Sequence, residues 1–485
     1  MGEYSGGCEC DLKDAPLKYE GLQPWEILVS EAQERMTLAV PLESRADFEE
    51  LARRRDVEVC FMGRFNDSGY FTVKYDGEII MSLDMDFLYE DGCPTLTMPA
   101  RWSPPTIAGP ETGRRKDLAR DLKTLLGSLN ICSREYKSRI YDGEVKGLSV
   151  VKPYVGRCAD VPSDATVMRI DYQDNRGAVL AEAINPWFSD IDTYHMTASV
   201  IDEAVRRVIA VGGRLDRIAI LDNFCWPDPV ESQKTPDGQY KMAQLVRANK
   251  ALYDYTVNYK VPAISGKDSC KNDSTRGGKK ISIPPTLLIS SLGQIEDVRQ
   301  AVTMPFKKAG DAIYAIGTTK AEMGASAFYR MLAEEQDDWR KYGGRVPQVD
   351  ADEALRIYAA MNKATSEGLL RSATTPSKGG MAVAVALAAI GGGLGAEVDI
   401  GKLPAQGDLE DWEALFSESN SRFIVTCADG ECEALEDLFA ELPCTRIGNV
   451  SDSKSLSIAN GAGRLVLKAD IEELRDSFKG TLQGV

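Results

Sequence analysis

The residues with the clearest chemistry lie in one short segment, residues 261–273, where an apolar run passes into small and charged side chains. The start of the segment predicts a short strand, and Gly266, Lys267 and Asp268 after it predict a turn. Glycine lets backbone N–H groups approach an anion, lysine supplies positive charge and carboxylates hold Mg²⁺, so this order suits a polyphosphate. An ordinary polar turn after a buried strand has the same pattern, and the segment alone leaves both interpretations open.

Two further segments could take part in the same chemistry. Asp222 ends the apolar run of residues 218–224, and ligand or metal contacts in α/β proteins gather where strands end. An Asx turn is the alternative for this aspartate. Residues 377–380, Ser-Lys-Gly-Gly, precede a helix predicted over 381–390. Backbone amides at such a helix start bind anions, while close packing of the helix on a sheet explains the glycines equally well.

The composition excludes several classes of protein. The chain has 485 residues, 43% of them hydrophobic and 27% charged, which is typical of a globular protein of roughly three domains. Its net charge of −17 argues against nucleic acid and anionic membranes as partners. The single histidine, His195, excludes a His-based zinc site and a Ser-His-Asp triad, and we expect a neutral surface or capping residue there.

Cysteine usage and the apolar runs indicate a cytoplasmic protein. The 11 cysteines include no Cys-x-x-Cys pair, and the start of the sequence does not resemble a signal peptide, so free buried thiols are expected. The longest apolar run, residues 381–396, is interrupted by three glycines and is shorter than the ~18 apolar residues of a membrane span.

The elements that must position these side chains follow an α/β pattern. Turn-rich and periodic segments divide the chain into residues 1–98, a proline-rich linker over 99–118, an α/β domain over 119–300 and a second domain over 301–475. In the first part we expect an irregular start over 1–25, a strand over 36–40, a helix over 44–55, and a hairpin of strands 58–65 and 70–75.

An internal repeat is the most informative feature of the organisation. The segment Ser-Glu-Ala-Gln-Glu-Arg-Met at 30–36 matches Ser-Glu-Ser-Asn-Ser-Arg-Phe at 417–423, and each precedes an apolar strand. Residues 63–68 match 448–453, in a register that agrees to within about two residues. The second copy follows roughly 100 residues of its own domain and the first follows only 25, so the first is predicted to be truncated. A bare sheet edge and apolar face should result, which a partner chain or a missing upstream half would cover.

These segments together resemble phosphoribosylformylglycinamidine synthase, the formylglycinamide ribonucleotide amidotransferase of purine synthesis. The similarity covers residues 25–460 in family order and rests on segments 30–36, 221–224, 262–273, 377–380 and 417–423. It implies an α/β (α+β) fold of tandem modules similar to aminoimidazole ribonucleotide synthetase, the first of them truncated. The chain would then hold the end of copy one and all of copy two.

The resemblance also implies roles for individual residues. Glu31, Ala32 and Gln33 occupy a substrate-contacting triplet, in which Ala32 replaces the more usual serine, and Ser269 occupies another substrate position. Asp222 and Gly266 occupy ATP-contacting positions. Lys267 replaces a metal-binding asparagine and is expected to bind ATP through a phosphate, and Lys378 replaces an aspartate. Asp222 and Asp268 are the candidate ligands of Mg²⁺.

The implied reaction is an ATP-dependent ligation that turns a formyl amide into an amidine with ammonia. The family's catalytic histidines belong to the upstream half, and His195 does not match them, so no catalytic residue is assigned here. The expected partners are an N-terminal synthetase half and a glutaminase subunit that supplies ammonia from glutamine, and the small-molecule substrate is formylglycinamide ribonucleotide. Two alternatives stay open: a non-catalytic subunit that binds nucleotide for structural purposes, and an adenylating enzyme whose pyrophosphate loop is residues 265–269.

Overall fold

The computed structural model describes residues 2–32, 35–89, 92, 96–113, 115–141 and 143–483, which form two compact units, Met1–Met98 and Pro99–Val485. The helices of the first unit are α1 (Gly2–Ser5), α2 (Pro24–Leu28), α3 (Arg45–Arg54) and α4 (Met85–Tyr89). Its strands are β1 (Cys8–Asp11), β2 (Gly63–Phe65), β3 (Tyr70–Tyr75) and β4 (Glu78–Asp84), in the sheet order β2-β1-β3-β4.

The start of the chain is more regular than its sequence suggests. Strand β1 lies inside the four-stranded sheet, antiparallel to β2 and parallel to β3. Leu12 and Ala15, which follow β1, are buried with Ile27 and Val73 in the small core of this unit. The prediction of an irregular segment over residues 1–25 is therefore wrong, because the backbone of β1 finds hydrogen-bond partners more than 50 residues away.

Two predicted strands of the first unit are absent or shortened. Residues 36–40 form no strand, and only residues 63–65 of the predicted strand 58–65 are paired. The apolar alternation is present in both segments, but a strand exists only when a neighbour accepts its hydrogen bonds. Among the described residues of this unit, no strand is paired with residues 36–40 or with residues 58–62.

The second unit contains two large sheets and two short hairpins. The strands of the first large sheet and the hairpins are β5 (Ser149–Val151), β6 (Tyr154–Val155), β7 (Val161–Pro162), β8 (Thr166–Arg169), β9 (Gly177–Ile184), β10 (Ile218–Cys225), β11 (Ala263–Ser269), β12 (Ser274–Arg276), β13 (Lys279–Ile281) and β14 (Thr286–Ile295). Six of them form one sheet in the order β11-β10-β14-β9-β8-β5, while β6 pairs with β7 and β12 with β13.

The other large sheet belongs to the C-terminal part of the unit. Its strands are β15 (Ala312–Ile316), β16 (Leu370–Thr374), β17 (Gly395–Asp399), β18 (Phe423–Cys427), β19 (Cys444–Ser451), β20 (Ser455–Ala459) and β21 (Leu465–Asp470). Their order is β16-β18-β15-β19-β17-β20-β21. Strand β15 is buried at every position, as expected of a strand covered on both faces.

Helices cover these sheets. They are α5 (Leu118–Leu126), α6 (Glu135–Ile140), α7 (Thr193–Ala210), α8 (Gly238–Tyr259), α9 (Ala327–Glu335), α10 (Ala351–Ser366), α11 (Gly380–Gly392), α12 (Asp411–Phe416), α13 (Cys432–Leu438) and α14 (Ile471–Gly480). Asp192 caps α7 by accepting hydrogen bonds from the first N–H groups of the helix, and α8 ends at Lys260, whose φ of 56° places it in the left-handed region. The segment predicted as a linker is irregular up to α5, but Trp102 within it stacks on Tyr240 of α8.

The internal repeat is visible in strand pairing. In the first unit β1 pairs antiparallel with β2 and parallel with β3, with Cys10 opposite Gly63. In the second unit β17 pairs antiparallel with β19 and parallel with β20, with Val398 opposite Gly448. The repeat thus extends beyond the matching sequence segments to strand β1, which periodicity had not indicated.

The sequence also predicted that the chain has no membrane span and that its cysteines are free, buried thiols. None of the described helices is long and apolar enough to cross a membrane. The ten cysteines that the structure describes are free, as predicted, but only Cys132 and Cys427 are buried.

Candidate functional site

Asp222 and Gly266 are neighbours on two adjacent strands. Strand β11 runs parallel to β10, and Asp222 lies directly opposite Gly266 in this pairing. A Cβ atom placed on Gly266 would lie 2.9 Å from Oδ1 of Asp222. The missing side chain therefore leaves the space that the Asp222 carboxylate occupies, a use of glycine that depends on close approach and not on an unusual backbone angle.

Asp268 belongs to the same face of the sheet. It follows Gly266 by two residues in β11, so its side chain points to the side of the strand on which Asp222 lies. Burial raises the pKa of Asp222, and the negative charge of Asp268 raises this pKa further. Two carboxylates on one face of the sheet provide a place for a cation.

The predicted turn over residues 265–269 is wrong, because these residues form most of strand β11. The chain turns only afterwards, where the Ser269 carbonyl accepts hydrogen bonds from Trp226 N at 2.7 Å and from Asn272 Nδ2 at 2.8 Å. Strand β11 is the edge of its sheet, and residues 263–268 are exposed. The exposed edge still offers backbone N–H groups to a ligand, but along a strand and not around a loop.

Lys267 and Ser269 lie on the opposite face of β11 from Gly266 and Asp268, because side chains alternate along a strand. Lys267 makes no salt bridge with any residue that the structure describes, and the Ser269 hydroxyl donates to Asn272 Oδ1 at 3.1 Å. The sequence predicted one loop for residues 266–269. In the strand, Gly266 and Asp268 lie on one face and Lys267 and Ser269 lie on the other.

A charged cluster that the sequence reasoning missed lies beyond the ends of β10 and β11. Asp273 Oδ2 accepts a hydrogen bond from Asp228 N at 2.9 Å, and the Lys280 ammonium lies 3.2 Å from Asp273 and 3.4 Å from Asp228. Asp273 Oδ1 is buried without a hydrogen-bond partner. The only signal for this cluster was the polar composition of residues 268–273, which does not identify the lysine of a later hairpin.

The three other predicted substrate residues belong to the first unit. Glu31 is exposed and Ala32 is half-buried, both in an irregular segment after α2. Gln33 lies outside the described residues. The structure therefore brings Asp222, Gly266 and Asp268 together within the second unit, while the triplet belongs to the first unit.

The repeat identifies Glu418 as the counterpart of Glu31 in the second copy. Glu418 is buried, and its Oε1 accepts hydrogen bonds from Ala327 N at 2.8 Å and Gly379 N at 2.9 Å. These N–H groups lie at the starts of α9 and α11, where helix dipoles favour a negative charge. Burial nevertheless raises the pKa of Glu418 to about 7. The glycines of residues 377–380 thus do face an anion, and the anion is a side chain of this same chain.

Lys378, which the resemblance identified as a departure, lies near this carboxylate. Its ammonium donates a hydrogen bond to the Ile184 carbonyl at 2.9 Å. Burial lowers the pKa of Lys378, while the negative charges of Glu203 and Glu418 oppose that effect. The lysine charge therefore compensates buried carboxylates, a role that its sequence neighbours did not indicate.

A buried network on α7 also escaped the sequence analysis. Asp202 forms a buried ion pair with Arg206, and it accepts hydrogen bonds from Tyr259 Oη at 2.8 Å, Ser421 N at 3.0 Å and the Tyr358 hydroxyl. An Asp and an Arg four residues apart in one helix were the available signal. The network joins α7, α8 and α10 to the second copy of the repeated segment.

His195 lies in the first turn of α7 and is half-buried. Its N–H is capped by Asp192 at 3.3 Å, and its Nε2 lies 3.4 Å from Gln348 Nε2. Burial lowers the pKa of His195, which favours the neutral form that we expected. His195 is therefore only partly exposed, and the capping side chain at this helix is Asp192.

A cavity of about 1010 Å³ lies elsewhere in the second unit and is lined by both acidic and basic side chains, among them Lys320, Arg345 and Asp350. None of the predicted site residues lines it. The paired strands are the candidate site, because they carry the residues that the resemblance assigned to ATP and Mg²⁺.

The described residues contain no group of three or more His, Cys, Asp or Glu side chains arranged to hold a metal ion. Asp222 and Asp268 still fit Mg²⁺, which is commonly held through one or two carboxylates together with substrate phosphates. The raised pKa of Asp222 supports this fit, since a bound cation would offset the repulsion between the two carboxylates.

Comparison with known proteins agrees with the sheet architecture. Residues 308–459 match the C-terminal domain family of AIR synthase related proteins. A structure described as T. maritima PurL complexed with FGAR has a TM-score of 0.56 at 19% identity and covers 73% of this chain and 52% of that chain. PurL of the same organism complexed with ATP has a TM-score of 0.52 at 20% identity, covering 92% and 59%. The structure of PurLQS from Thermotoga maritima has a TM-score of 0.54 at 18% identity, covering 74% and 52%. The predicted mixed α/β fold with AIR-synthase-related domains is confirmed.

Sequence relatives extend the similarity to both units. The phosphoribosylformylglycinamidine synthase subunit PurL of Methanocaldococcus jannaschii is 31% identical over 98% of this chain and 61% of its own length. The corresponding subunit of Alkaliphilus metalliredigens is 29% identical over 99% of this chain and 61% of its own length. In these relatives the additional length belongs to the same polypeptide, so the expectation that a separate N-terminal half supplies it is wrong for them. The chain is similar to PurL along nearly its whole length but spans only about 61% of the length of these relatives, and its residues 308–459 match the C-terminal domain family of AIR synthase related proteins.

Proposed function

We propose that this chain is part of the ATP-dependent ligase that converts formylglycinamide ribonucleotide to formylglycinamidine ribonucleotide with glutamine-derived ammonia in purine biosynthesis. The observation that carries the proposal is the direct pairing of Asp222 with Gly266, with Asp268 on the same face, in a chain similar to PurL from end to end. The reaction needs a nucleotide and a cation in one place, and this is where the chain offers carboxylates beside an open strand edge.

The proposed chemistry has two steps. ATP transfers its terminal phosphoryl group to the oxygen of the glycinamide carbonyl of the substrate, and ADP leaves. Ammonia then attacks the carbon that bears this oxygen, and inorganic phosphate and a proton leave, which gives the amidine while the formyl group stays intact. Catalysis of this kind depends mostly on positioning and on stabilising negative charge, and this chain supplies those functions without an assigned acid–base residue.

The two faces of β11 suggest a division of roles. We assign Asp222, Gly266 and Asp268 to ATP, and Mg²⁺ held by the two aspartates would neutralise phosphate charge there. We assign Lys267 and Ser269, on the other face, to the ribonucleotide substrate, whose phosphate group matches an unpaired lysine. The sequence assigned Lys267 to the ATP phosphates, and we now assign it to the substrate phosphate.

The remaining requirements come from outside this sequence. We propose that Glu31, Ala32 and Gln33 contact substrate once the part of the synthase that PurL relatives carry beyond the match is present. Ammonia comes from a separate glutaminase, because no hydrogen bond joins the single histidine to a cysteine in the part of the chain that the structure describes. The assembly named PurLQS provides a precedent for additional subunits around a PurL chain.

The test is ADP release from ATP in the presence of formylglycinamide ribonucleotide and ammonium. We expect no turnover by this chain alone and substrate-dependent turnover after addition of the part of M. jannaschii PurL that lies outside the match. Turnover by the chain alone would contradict the requirement for that part. Bound ATP without turnover in either arm would favour a structural nucleotide-binding subunit, and release of pyrophosphate in place of ADP would favour an adenylating enzyme.

The ATP assignment is tested by calorimetric titration of the chain with ATP and MgCl₂. Asp222→Asn should weaken binding by about tenfold, since it removes one of two charges facing the cation. Asp476→Asn is the matched control, because Asp476 is exposed on α14 and changes the net charge equally. Equal affinity of the two variants would overturn the assignment.

A further inference from the structure

The cavity of about 1010 Å³ in the second unit shares no residue with the paired strands β10 and β11. Its lining comes from α7 and α8, from residues 318 and 320 after β15, from residues 405 and 406, and from the segment 345–353, which leads into α10. Cavities that bind small organic ligands have volumes of about 300–1,000 Å³, so this one has room for such a ligand. The side chains of the lining decide which class of ligand fits.

Two basic side chains of the lining have charge available for a ligand. Lys320 forms no salt bridge with any residue in the part of the chain that the structure describes. Arg345 Nε lies 3.7 Å from Glu322 Oε1, which is longer than a charge-assisted hydrogen bond. Arg345 Nη2 donates to Gln348 Oε1 at 2.8 Å, and Gln348 lines the cavity as well. Together the two cations match the double negative charge of a phosphate monoester.

The three acidic side chains of the lining have partners within the protein. Asp254 forms an ion pair with Lys250 at 2.8 Å. Asp350 Oδ1 accepts a hydrogen bond from Glu353 N at 3.0 Å, and Glu353 Oε1 accepts one from Thr318 Oγ1 at 3.2 Å. Each carboxylate keeps further lone pairs, which can accept hydrogen bonds from the hydroxyl or amino groups of a ligand.

The α8 part of the lining presents apolar and aromatic surface to solvent. Tyr253 is 69% exposed and Val257, one helical turn later on the same face, is 56% exposed. Tyr194 and Tyr255, which also line the cavity, pack edge to face on each other. A planar ring of a ligand can therefore lie against Tyr253 without displacing another side chain from it.

We propose that this cavity binds a nucleoside monophosphate without a metal ion. The phosphate group lies between Lys320 and Arg345, whose charges take the place of a bridging cation. The base packs against Tyr253, and the ribose hydroxyls donate to Asp350 and Glu353. The site is separate from β11, so the inference does not rest on the proposed ligase reaction.

The test is a calorimetric titration of the full chain with AMP, and separately with its two parts, adenosine and ribose 5-phosphate. EDTA is present throughout, so that no cation joins a phosphate group to Asp222 and Asp268. We expect AMP to bind at least about tenfold more tightly than either part, because only AMP engages the basic and the aromatic side chains together. No binding of AMP, or binding of ribose 5-phosphate as tight as that of AMP, would overturn the proposal.

Variants assign the two parts of the ligand to their side chains. Lys320→Ala and Arg345→Ala should each weaken AMP binding by about tenfold and leave adenosine binding unchanged. Tyr253→Ala should weaken binding of AMP and adenosine but not of ribose 5-phosphate. The matched controls are Lys234→Ala and Arg340→Ala, which remove exposed basic side chains outside the cavity. Equal effects of the controls and the cavity variants on AMP binding would contradict the proposed site.

Hydrogen exchange locates the bound AMP. Amides of residues 345–353 should exchange more slowly when AMP is present, whereas those of residues 263–269 should be unchanged. Protection of residues 263–269 in place of 345–353 would place AMP at β11 and overturn the proposal. These measurements use neither ATP, Mg²⁺ nor formylglycinamide ribonucleotide, so failure of the ligase assay and failure of this inference are distinguishable.

Discussion

At the scale of single residues, burial and partners decide roles that residue type leaves open. Glu31 and Glu418 are equivalent in the repeat, yet Glu31 is exposed and Glu418 accepts two helix-terminal N–H groups in a buried site. Lys267 and Lys378 both replace residues expected from the family, yet one is exposed on an edge strand and the other donates to a backbone carbonyl. Residues of the same type therefore have different roles in this chain because their side chains have different contacts.

The buried carboxyl of Glu418 should make stability depend on pH. Its pKa is raised from 4.5 to about 7, so the folded state holds its proton over a range in which the unfolded state has lost it. Its contribution is fully present below pH ~4.5 and is lost as pH rises through 7, by roughly 3 kcal/mol in total. We expect Glu418→Gln, which keeps the accepting oxygen, to flatten that part of the profile in urea unfolding between pH 5 and 8. A slope unchanged from the wild type would contradict this prediction.

At the scale of elements, close backbone approach determines how α11 packs. The end of this helix lies against residues 305 and 306, and a Cβ placed on Gly392 would lie 2.4 Å from the Phe306 carbonyl oxygen. The Phe306 N–H in turn donates to the Ala388 carbonyl at 3.0 Å. The helix therefore uses glycine for contact with a neighbouring segment, which agrees with the packing interpretation of its glycine-rich sequence.

Gly392→Ala should consequently destabilise the protein, although alanine is normally the better residue in a helix by about 1 kcal/mol. We expect a loss of about 1–3 kcal/mol in the free energy of unfolding, because the clash is with backbone and not with a movable side chain. Gly430→Ala is the control, since nothing lies within 4 Å of its Cβ position. Chemical denaturation of both variants measures the difference, and a neutral Gly392→Ala would show that the contact is not tight.

At the scale of the whole molecule, the two units are unequal in core size. The core of the first unit consists of Leu12, Ala15, Ile27 and Val73 with a few partly buried neighbours. The second unit contains two extensive buried clusters, one around the six-stranded sheet and one around α11. Small cores contribute little stability, so the first unit should open more readily than the second.

Hydrogen exchange of the chain alone should therefore separate the units. We expect amides of β1 and β3 to exchange at least about tenfold faster than those of β10 and β14, since opening free energy follows the amount of buried apolar surface. Strands β10 and β14 serve as the internal reference, because they are paired over eight residues. Comparable protection in both units would show that the first unit is stabilised by contacts beyond its own core.

Local sequence patterns were sufficient for most regular elements and for the fold class. The apolar run of residues 218–224 predicted β10, and the helices predicted over 44–55 and 381–390 are α3 and α11. The backbone of each of these elements finds its hydrogen-bond partners within the chain. The same reasoning failed for residues 36–40, whose pattern is that of a strand but which lack a neighbour among the described residues. Strand propensity is realised only through pairing.

The sequence by itself determined that the chain is an α/β protein with an internal repeat, and it named Asp222, Gly266, Lys267, Asp268 and Ser269 as candidate site residues. Only the tertiary structure decided how they are arranged. Once β11 pairs with β10, alternation places Asp222, Gly266 and Asp268 on one face and Lys267 and Ser269 on the other. Contacts such as that of Glu418 with Ala327 and Gly379 join segments far apart in the chain, and no local pattern encodes which distant N–H groups will meet a carboxylate.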